Sequence, residues 1–310
     1  MHHAKGPRQN PPITQPGRRS VIMGLGGTLI AGWMPGHRTA NAGTPRYDDA
    51  DEYLPTAERN NKTGLRLYLR QQNDEVLFKV ETPRQVTVDV VSHIPQQAKF
   101  GVVFLLGGSG VLSIQNDKLD RSFSFQTRTR DLWWSHPAAT FVIDAPSDRL
   151  GRGGIQDPLW RAGAEHLTDL KACIDNIAKR FEGPLIIHSH SNGAVSLANL
   201  AQAQHARIKA YVYSSASHYQ RGTNLIYQVQ HAAPVVFVQH RKDVCPSSPS
   251  HAFSTLETRV KAPHKQTLWI DGGVDSFSGH CGPFAPHSFV GVEKEAIEKT
   301  LSALDGLALN

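Results

Sequence analysis

The chain has 310 residues, with 33 lysines and arginines against 27 aspartates and glutamates, and a formal net charge of +6. Hydrophobic residues make up 39% of it and charged residues 19%, which excludes a chain that is disordered throughout. Its three cysteines are too few for a disulfide-dense scaffold or a four-cysteine zinc site. The excess of positive charge would suit a nucleic-acid partner only if it belonged to the folded part of the chain.

Residues 1–42 have the layout of a secretory signal peptide. They contain five basic residues and no acidic residue, followed by the apolar run Val21–Trp33 and by small residues at Ala40 and Ala42. The apolar run is too short to span a bilayer, which takes about 20 residues, and no later run comes closer. We therefore expect a signal peptide at 1–42, one domain at 43–310 and no stable membrane span.

The pair Arg18-Arg19 directly before the apolar run resembles a twin-arginine export signal. Val21, Ile22 and Met23 stand where that motif usually has Phe and Lys, which is a departure from it. Residues 43–310 keep 28 basic and all 27 acidic residues, a formal charge of +1. We therefore expect a periplasmic or secreted protein with no nucleic-acid partner, and its oligomeric state stays open.

The rest of the chain predicts an α/β domain with a mainly parallel, twisted sheet of about eight strands and helices on both faces. Alternating segments predict antiparallel strands first, continuous apolar runs predict buried parallel strands, and helical spacing predicts helices. The antiparallel strands are Leu65–Gln71, Glu75–Glu81 and Gln85–Ser92; the buried strands are Phe100–Leu106, Thr140–Ile143 and Pro184–His188; further strands are Ile208–Tyr213, Pro234–Gln239 and Gln266–Ile270; the helices are 163–181, Ala194–Gln204 and Glu293–Leu304.

Ser191 lies where a nucleophile is expected. The segment Ser189-His190-Ser191-Asn192-Gly193 joins a buried strand to a helix, and small residues stand two before and two after the serine. A tight turn of this kind raises one hydroxyl above the edge of the sheet. With this motif the chain resembles the α/β-hydrolase superfamily, although the first small residue is usually glycine and is Ser189 here.

The resemblance implies a Ser-Asp-His order along the chain. Asp243 follows the strand Pro234–Gln239 at the position of the acid, and two histidines, His280 and His287, precede the last helix. His287 is the better candidate because an aromatic residue and a Gly–Glu helix start follow it, as in relatives of this kind. The implied mechanism has His287 as the base for Ser191, and Asp243 orients the imidazole.

The oxyanion would be held by backbone N–H groups. The resemblance implies the N–H of Asn192 and, from the loop after the strand Phe100–Leu106, that of Ser109, with Gly108 permitting a close approach of the backbone. The family often has His-Gly-x in this loop, and the chain has Gly107-Gly108-Ser109 instead. If the acid and histidine loops converge on the triad, Cys245 and Cys281 come close enough for a disulfide, whereas Cys173 is expected in the core.

Other polar and aromatic residues leave alternatives open. His188 and His190 are two residues apart, but packing beside the nucleophile explains them better than a metal site, and we expect no metal or cofactor. Asp144 either lines the pocket edge or binds neighbouring backbone, and Trp133 and Trp134 either wall the pocket or pack on the sheet. Few residues separate the strands Ile208–Tyr213 and Pro234–Gln239, which predicts a minimal cap.

The leading interpretation is an exported serine hydrolase, carboxylesterase-like, that cleaves an ester or related acyl bond of a small-molecule substrate through an acyl-enzyme. Fold alone does not fix the substrate in this superfamily. The alternative is a non-catalytic periplasmic binding or accessory protein built on the same scaffold, and the complete Ser191–Asp243–His287 set argues against it.

Overall fold

The structure is a computed structural model, and it describes residues 74–121, 124–151, 153–276 and 278–307. The predicted signal peptide at 1–42 and the predicted strand Leu65–Gln71 lie outside the described residues. In the described part, ten strands and seven α-helices follow one another. The strands are β1 Val76–Glu81, β2 Thr87–His93, β3 Phe100–Leu105, β4 Ser113–Gln115, β5 Lys118–Arg121, β6 Ala138–Pro146, β7 Leu185–His190, β8 Ile208–Ser214, β9 Val235–His240 and β10 Lys265–Ile270.

The helices differ widely in length. The longest are α3 and α7, and the others are one to two and a half turns. They are α1 Phe125–Arg128, α2 Pro158–Arg161, α3 Ala164–Arg180, α4 Gly193–Ala201, α5 Leu225–Gln228, α6 Phe253–Arg259 and α7 Glu293–Asp305, with short 3₁₀ turns at Arg130–Ser135, Ser147–Arg149, Ser250–Ala252 and Pro286–Ser288. None of these helices combines the length and the apolar character that crossing a bilayer requires.

Eight strands form one sheet in the order β1-β2-β6-β3-β7-β8-β9-β10, and β4 and β5 form a separate hairpin. In the eight-stranded sheet, β2 is antiparallel to both β1 and β6, and all the remaining pairs are parallel. The prediction of a mainly parallel sheet of about eight strands is therefore confirmed. Because parallel strands point the same way, the loops after β3, β7, β9 and β10 leave the sheet at one edge.

Helices cover the two faces of the sheet, and alternate strand residues divide between two apolar clusters. On one face Val103, Ile187 and Phe237 pack with Ile174 of α3 and Val195 of α4. On the other face the intervening strand residues Phe104, Ile186 and Val236 pack with Phe125 of α1 and Leu301 of α7. This division explains why β3 is a continuous apolar run in the sequence and why β7 begins with one, since every residue of both strands is buried.

Residues 124–137, between β5 and β6, pack on the sheet. Trp133 is fully buried and its ring meets those of Phe104 and His188, while Trp134 donates its indole N–H to Thr140 Oγ1 and stacks on His93. Neither tryptophan lines a cavity beside Ser191. Between β8 and β9 the chain has only one helical turn, α5, with Ile226 and Tyr227 buried, in keeping with the predicted minimal cap.

Candidate active site

Ser191 occupies the turn between β7 and α4 in a strained conformation. Its φ is +51°, a region that non-glycine residues rarely adopt. Its N–H donates to the carbonyl oxygen of Ser214, the last residue of β8, and its carbonyl accepts from Ser217 N in the loop that follows β8. A Cβ on Gly193 would lie 2.1 Å from Leu105 O, which excludes any side chain there. The pattern of small residues around Ser191 therefore reflects the close approach of β3.

Asp243 and His287 form a buried pair at the same edge of the sheet. Asp243 follows β9, and His287 lies in the 3₁₀ turn before α7, with His287 Nδ1 2.9 Å from Asp243 Oδ2. Each residue is 1% exposed. His280, the other histidine considered from the sequence, is exposed and lines neither cavity beside Ser191. The structure thus brings His287, and not His280, against the carboxylate.

The Asp243 carboxylate is held by donors that the sequence did not point to. Its Oδ1 accepts from Cys245 N at 2.9 Å, and its Oδ2 accepts from Gln239 Nε2 at 3.2 Å and from Ser248 Oγ at 3.1 Å. Ser248 Oγ also lies 3.0 Å from His287 Nδ1, so this hydroxyl bridges the pair. Nothing in the local sequence distinguishes Gln239 or Ser248 from other polar residues, because only the tertiary fold brings them to the carboxylate.

Ser191 and His287 line the same cavity but are not hydrogen-bonded to each other. Ser191 Oγ is 3.3 Å from Ser217 Oγ, and the buried His287 Nε2 has no hydrogen-bond partner among the described residues. The expected bond between serine and imidazole is therefore not made in this structure. Hydrogen bonds between a nucleophile and its base often tighten only when a substrate binds.

The loop after β3 approaches Ser191 closely. A Cβ on Gly107 would lie 2.9 Å from Ser191 Cβ, so this position requires glycine. The carbonyls of the loop are bonded away from Ser191: Gly107 O accepts from Gly110 N, and Ser109 O accepts from Ile155 N. Within the described part of the chain, the N–H groups of Gly108, Ser109 and Asn192 have no hydrogen-bond acceptor. These N–H groups are free to bind an anionic oxygen.

Two cavities meet at Ser191. The first, of about 440 Å³, is bounded by the loop 107–113, Phe125, His190 and His287. The second, of about 630 Å³, is bounded mainly by polar side chains; these are Gln156, Asn192, Ser217, Tyr219, Gln220 and Ser247. Both include Gly108 and Cys281 in their walls, and none of their described wall residues is Lys, Arg, Asp or Glu. In its described residues, the site therefore presents an uncharged surface on both sides of the serine.

The disulfide expected between Cys245 and Cys281 is present, with a Cα–Cα distance of 4.8 Å. It joins the loop that carries Asp243 to the loop that leads to His287. The third cysteine, Cys173, is free and fully buried on α3, within the apolar cluster, as expected of a core residue. Burial raises the pKa of its thiol well above the ordinary range.

The two histidines of β7 are packing residues. Burial lowers the pKa of His188 to about 3. Burial is also the larger cause that lowers the pKa of His190 well below 6.5, and the nearby His287 lowers it further. His190 lies between Ser214 Oγ and Ser288 Oγ, and its ring centre is 5.0 Å from that of His287. A neutral His190 places no second positive charge beside His287. Among the described residues, no three His, Cys, Asp or Glu side chains cluster so as to hold a metal ion.

Asp144, left open by the sequence, binds backbone. Its Oδ1 accepts from Leu112 N and from Ala145 N, both at 2.7 Å, and its side chain lines neither cavity. Burial raises its pKa to about 6. Because Leu112 belongs to the wall of the first cavity, Asp144 supports the loop 107–113 from behind.

No family model and no curated protein matches the sequence, but solved structures match the fold. Dienelactone hydrolase from Anabaena variabilis is similar with a TM-score of 0.53 and 14% identity, over 75% of this chain and 96% of that one. A cold-adapted esterase from an Arctic intertidal metagenomic library has a TM-score of 0.53 and 18% sequence identity, over 77% of this chain and 99% of that one. A serine hydrolase without a lid from Xanthomonas campestris has a TM-score of 0.50 and 11% sequence identity, over 74% of this chain and 96% of that one. These similarities establish the α/β-hydrolase fold.

Proposed function

We propose that this chain is an exported serine hydrolase that cleaves a carboxylic ester or a related acyl bond through Ser191, His287 and Asp243. The observation that carries the proposal is the buried His287–Asp243 pair, with its free Nε2, in the wall of the cavity that also contains the strained Ser191. An imidazole oriented by a carboxylate and facing a serine hydroxyl is the arrangement that activates a nucleophile.

The proposed reaction has two halves. His287 Nε2 takes the Ser191 proton as Oγ attacks the acyl carbon, and the N–H groups of Ser109 and Asn192, with Gly108 allowing the approach, hold the negative oxygen. His287 then gives the proton to the leaving oxygen. The bond between the acyl carbon and that oxygen breaks, which leaves Ser191 acylated. Water, deprotonated by His287, releases the acid and restores the serine. Asp243 keeps the proton on Nδ1 and stabilises the imidazolium.

The two cavities suggest how a substrate would lie. The leaving oxygen must be within reach of His287, which borders the first cavity and not the second. The alcohol portion therefore extends toward Leu112 and Phe125, and the acyl portion extends into the second cavity beside Asn192 and Gln220. Because the described walls carry no charged side chain, we expect uncharged esters to react faster than esters with a charged group on either side.

A fluorophosphonate probe tests the function without knowledge of the substrate. Native protein is expected to be labelled, Ser191→Ala is not, and His287→Ala is labelled far more slowly. Two matched controls are expected to stay reactive: Ser217→Ala, whose hydroxyl contacts Ser191 Oγ, and His280→Ala, which is exposed. No labelling of folded native protein, or labelling that survives Ser191→Ala, would favour a non-catalytic binding protein instead.

The export half of the proposal has its own test. We propose that residues 1–42 are removed and that residues 43–310 form the α/β-hydrolase domain in the periplasm or outside the cell. The disulfide supports an oxidising compartment, since such bonds persist there. In a bacterial host the exported protein is expected to begin at Gly43, and replacing Arg18 and Arg19 by lysine is expected to retain the precursor in the cytoplasm. Normal export of that variant would exclude the twin-arginine route.

A further inference from the structure

Arg161, at the end of α2, is a buried cation. Its side chain is 1% exposed, and no carboxylate among the described residues pairs with it. Burial lowers its pKa to about 9, so it stays protonated at neutral pH. Burying an unpaired charge is costly, because the ion loses its hydration without gaining a counterion. The proposed reaction has no step in which Arg161 takes part.

The guanidinium of Arg161 joins three segments around the nucleophile. Nε donates to Ile155 O at 2.7 Å, Nη1 donates to Ser196 Oγ at 2.7 Å, and Nη2 donates to Gly108 O at 3.0 Å. Ser196 lies on α4, the helix that begins just after Ser191, and Gly108 lies on the loop after β3. Since the guanidinium is planar and rigid, these bonds fix the loop relative to the nucleophile's helix.

The bond to Gly108 O determines where the next N–H points. In a trans peptide the C=O and N–H of one unit point in opposite directions, and the described residues contain no cis peptide. The Gly108 carbonyl faces Arg161, so the Ser109 N–H faces away from it. This N–H has no acceptor within the described residues, and Ser109 is part of the wall of the first cavity together with Ser191.

We propose that Arg161 is a positioning residue for the oxyanion site. It holds the Gly108–Ser109 peptide with its N–H toward the reacting acyl group, and its positive charge on the carbonyl side polarises that peptide as negative charge develops on the substrate oxygen. This inference rests on the proposed function, because it assigns Arg161 a role only in the acylation of Ser191.

The test compares Arg161→Met and Arg161→Lys with Arg207→Met. Arg207 is a matched control, because its Nη2 also binds two backbone carbonyls, Phe181 O and Gly183 O, at the opposite ends of the strands. For each folded variant, the rate of Ser191 labelling is measured against the concentration of a fluorophosphonate probe. We expect Arg161→Met to lower the maximal labelling rate about 10- to 100-fold, with the half-saturating concentration changed less than about threefold. This is less than the roughly 100- to 1000-fold that loss of a whole oxyanion donor costs, because the Ser109 N–H stays in place and is only less well oriented. Arg161→Lys, which keeps the charge, is expected to recover part of the rate.

Arg207→Met is expected to melt at a lower temperature but to react at the native maximal rate. An Arg161→Met rate within threefold of native, or an Arg161→Lys rate no higher than that of Arg161→Met, would overturn the inference while leaving Ser191 a nucleophile. Absence of Ser191-dependent labelling in the native protein would instead refute the proposed function itself.

A measurement on native protein decides the matter if the Arg161 variants do not fold. The amide proton of Ser109 is followed by NMR before and after Ser191 is phosphonylated, since the phosphonyl oxygen then occupies the oxyanion position. A downfield shift of the Ser109 amide proton supports the orientation that Arg161 imposes, and an unchanged Ser109 resonance in fully labelled protein contradicts it.

Discussion

Reduction of the Cys245–Cys281 disulfide should weaken both the stability and the reactivity of the domain. The bond closes a segment with a sequence separation of 36, and loop closure of that length stabilises the native state by about 4 kcal/mol in the chain-entropy treatment. For a domain of this size, that free energy corresponds to a fall in melting temperature of about 8–15 °C.

The effect on reactivity follows from the loops that the bond joins. The backbone N–H of Cys245 donates to Asp243 Oδ1, and Cys281 precedes His287 by one short loop and borders both cavities. Freed loops would hold the acid and the imidazole less firmly, so the labelling rate of Ser191 should fall as well.

The assay is a urea and thermal titration of native protein with and without dithiothreitol, beside a variant in which Cys245 and Cys281 are both serine. Thiol titration establishes complete reduction. The double variant should resemble reduced native protein and should not respond to the reductant, which excludes an effect through Cys173. Fully reduced native protein with an unchanged unfolding midpoint and an unchanged labelling rate would refute the reasoning.

Three further predictions concern residues behind the site. Ser248→Ala removes a hydrogen bond to the Asp243 carboxylate, worth about 1.5–3 kcal/mol, and should slow Ser191 labelling about 10- to 100-fold; an unchanged rate would show that Gln239 Nε2 and Cys245 N suffice. Burial raises the Asp144 pKa from 3.8 to about 6, so the contribution of Asp144 to native stability should be full below pH 4 and should be lost as the pH rises through 6. Asp144→Asn keeps an acceptor for both backbone N–H groups, so it should match native protein at pH 4 and exceed it by up to about 3 kcal/mol at pH 7.5 in urea titrations. Equal midpoints of the two proteins at pH 7.5 would contradict this. Gly193→Ala puts a Cβ 2.1 Å from Leu105 O and should destabilise the fold by more than about 4 kcal/mol in thermal melts, whereas Gly151→Ala, at a glycine with open space around it, should melt like native protein.

Most of the sheet could be predicted because buried strands leave a local pattern. Phe100–Leu105 is buried along its whole length and appears in the sequence as an apolar run. Leu185–His190 is equally buried, but only its first half is apolar. The helices α3 and α7 are predicted by helical spacing. The hairpin of β4 and β5, and the helices α1, α2 and α6, are short segments whose formation depends on the surfaces they pack against, and local periodicity does not reveal them.

The candidate site divides in the same way. A motif of small residues around Ser191 can be recognised locally, because the turn and the close approach of β3 restrict the residues within a few positions of it. The place of Asp243 after a buried strand can be found by order along the chain. His287 could be preferred to His280 only by resemblance, and the contact with Asp243 is a property of the fold.

The sequence by itself determined the alternation of strands and helices, the turn at Ser191 and the location of the excess positive charge in residues 1–42. Each of these depends on residues close together in the chain. Only the tertiary structure decided that Ser248 and Gln239 bind Asp243, that Arg161 binds Gly108 and that two cavities meet at Ser191. The physical reason is that a hydrogen bond between distant segments depends on where folding brings them, and a polar residue looks the same in the sequence whether its partner is water or a buried carboxylate.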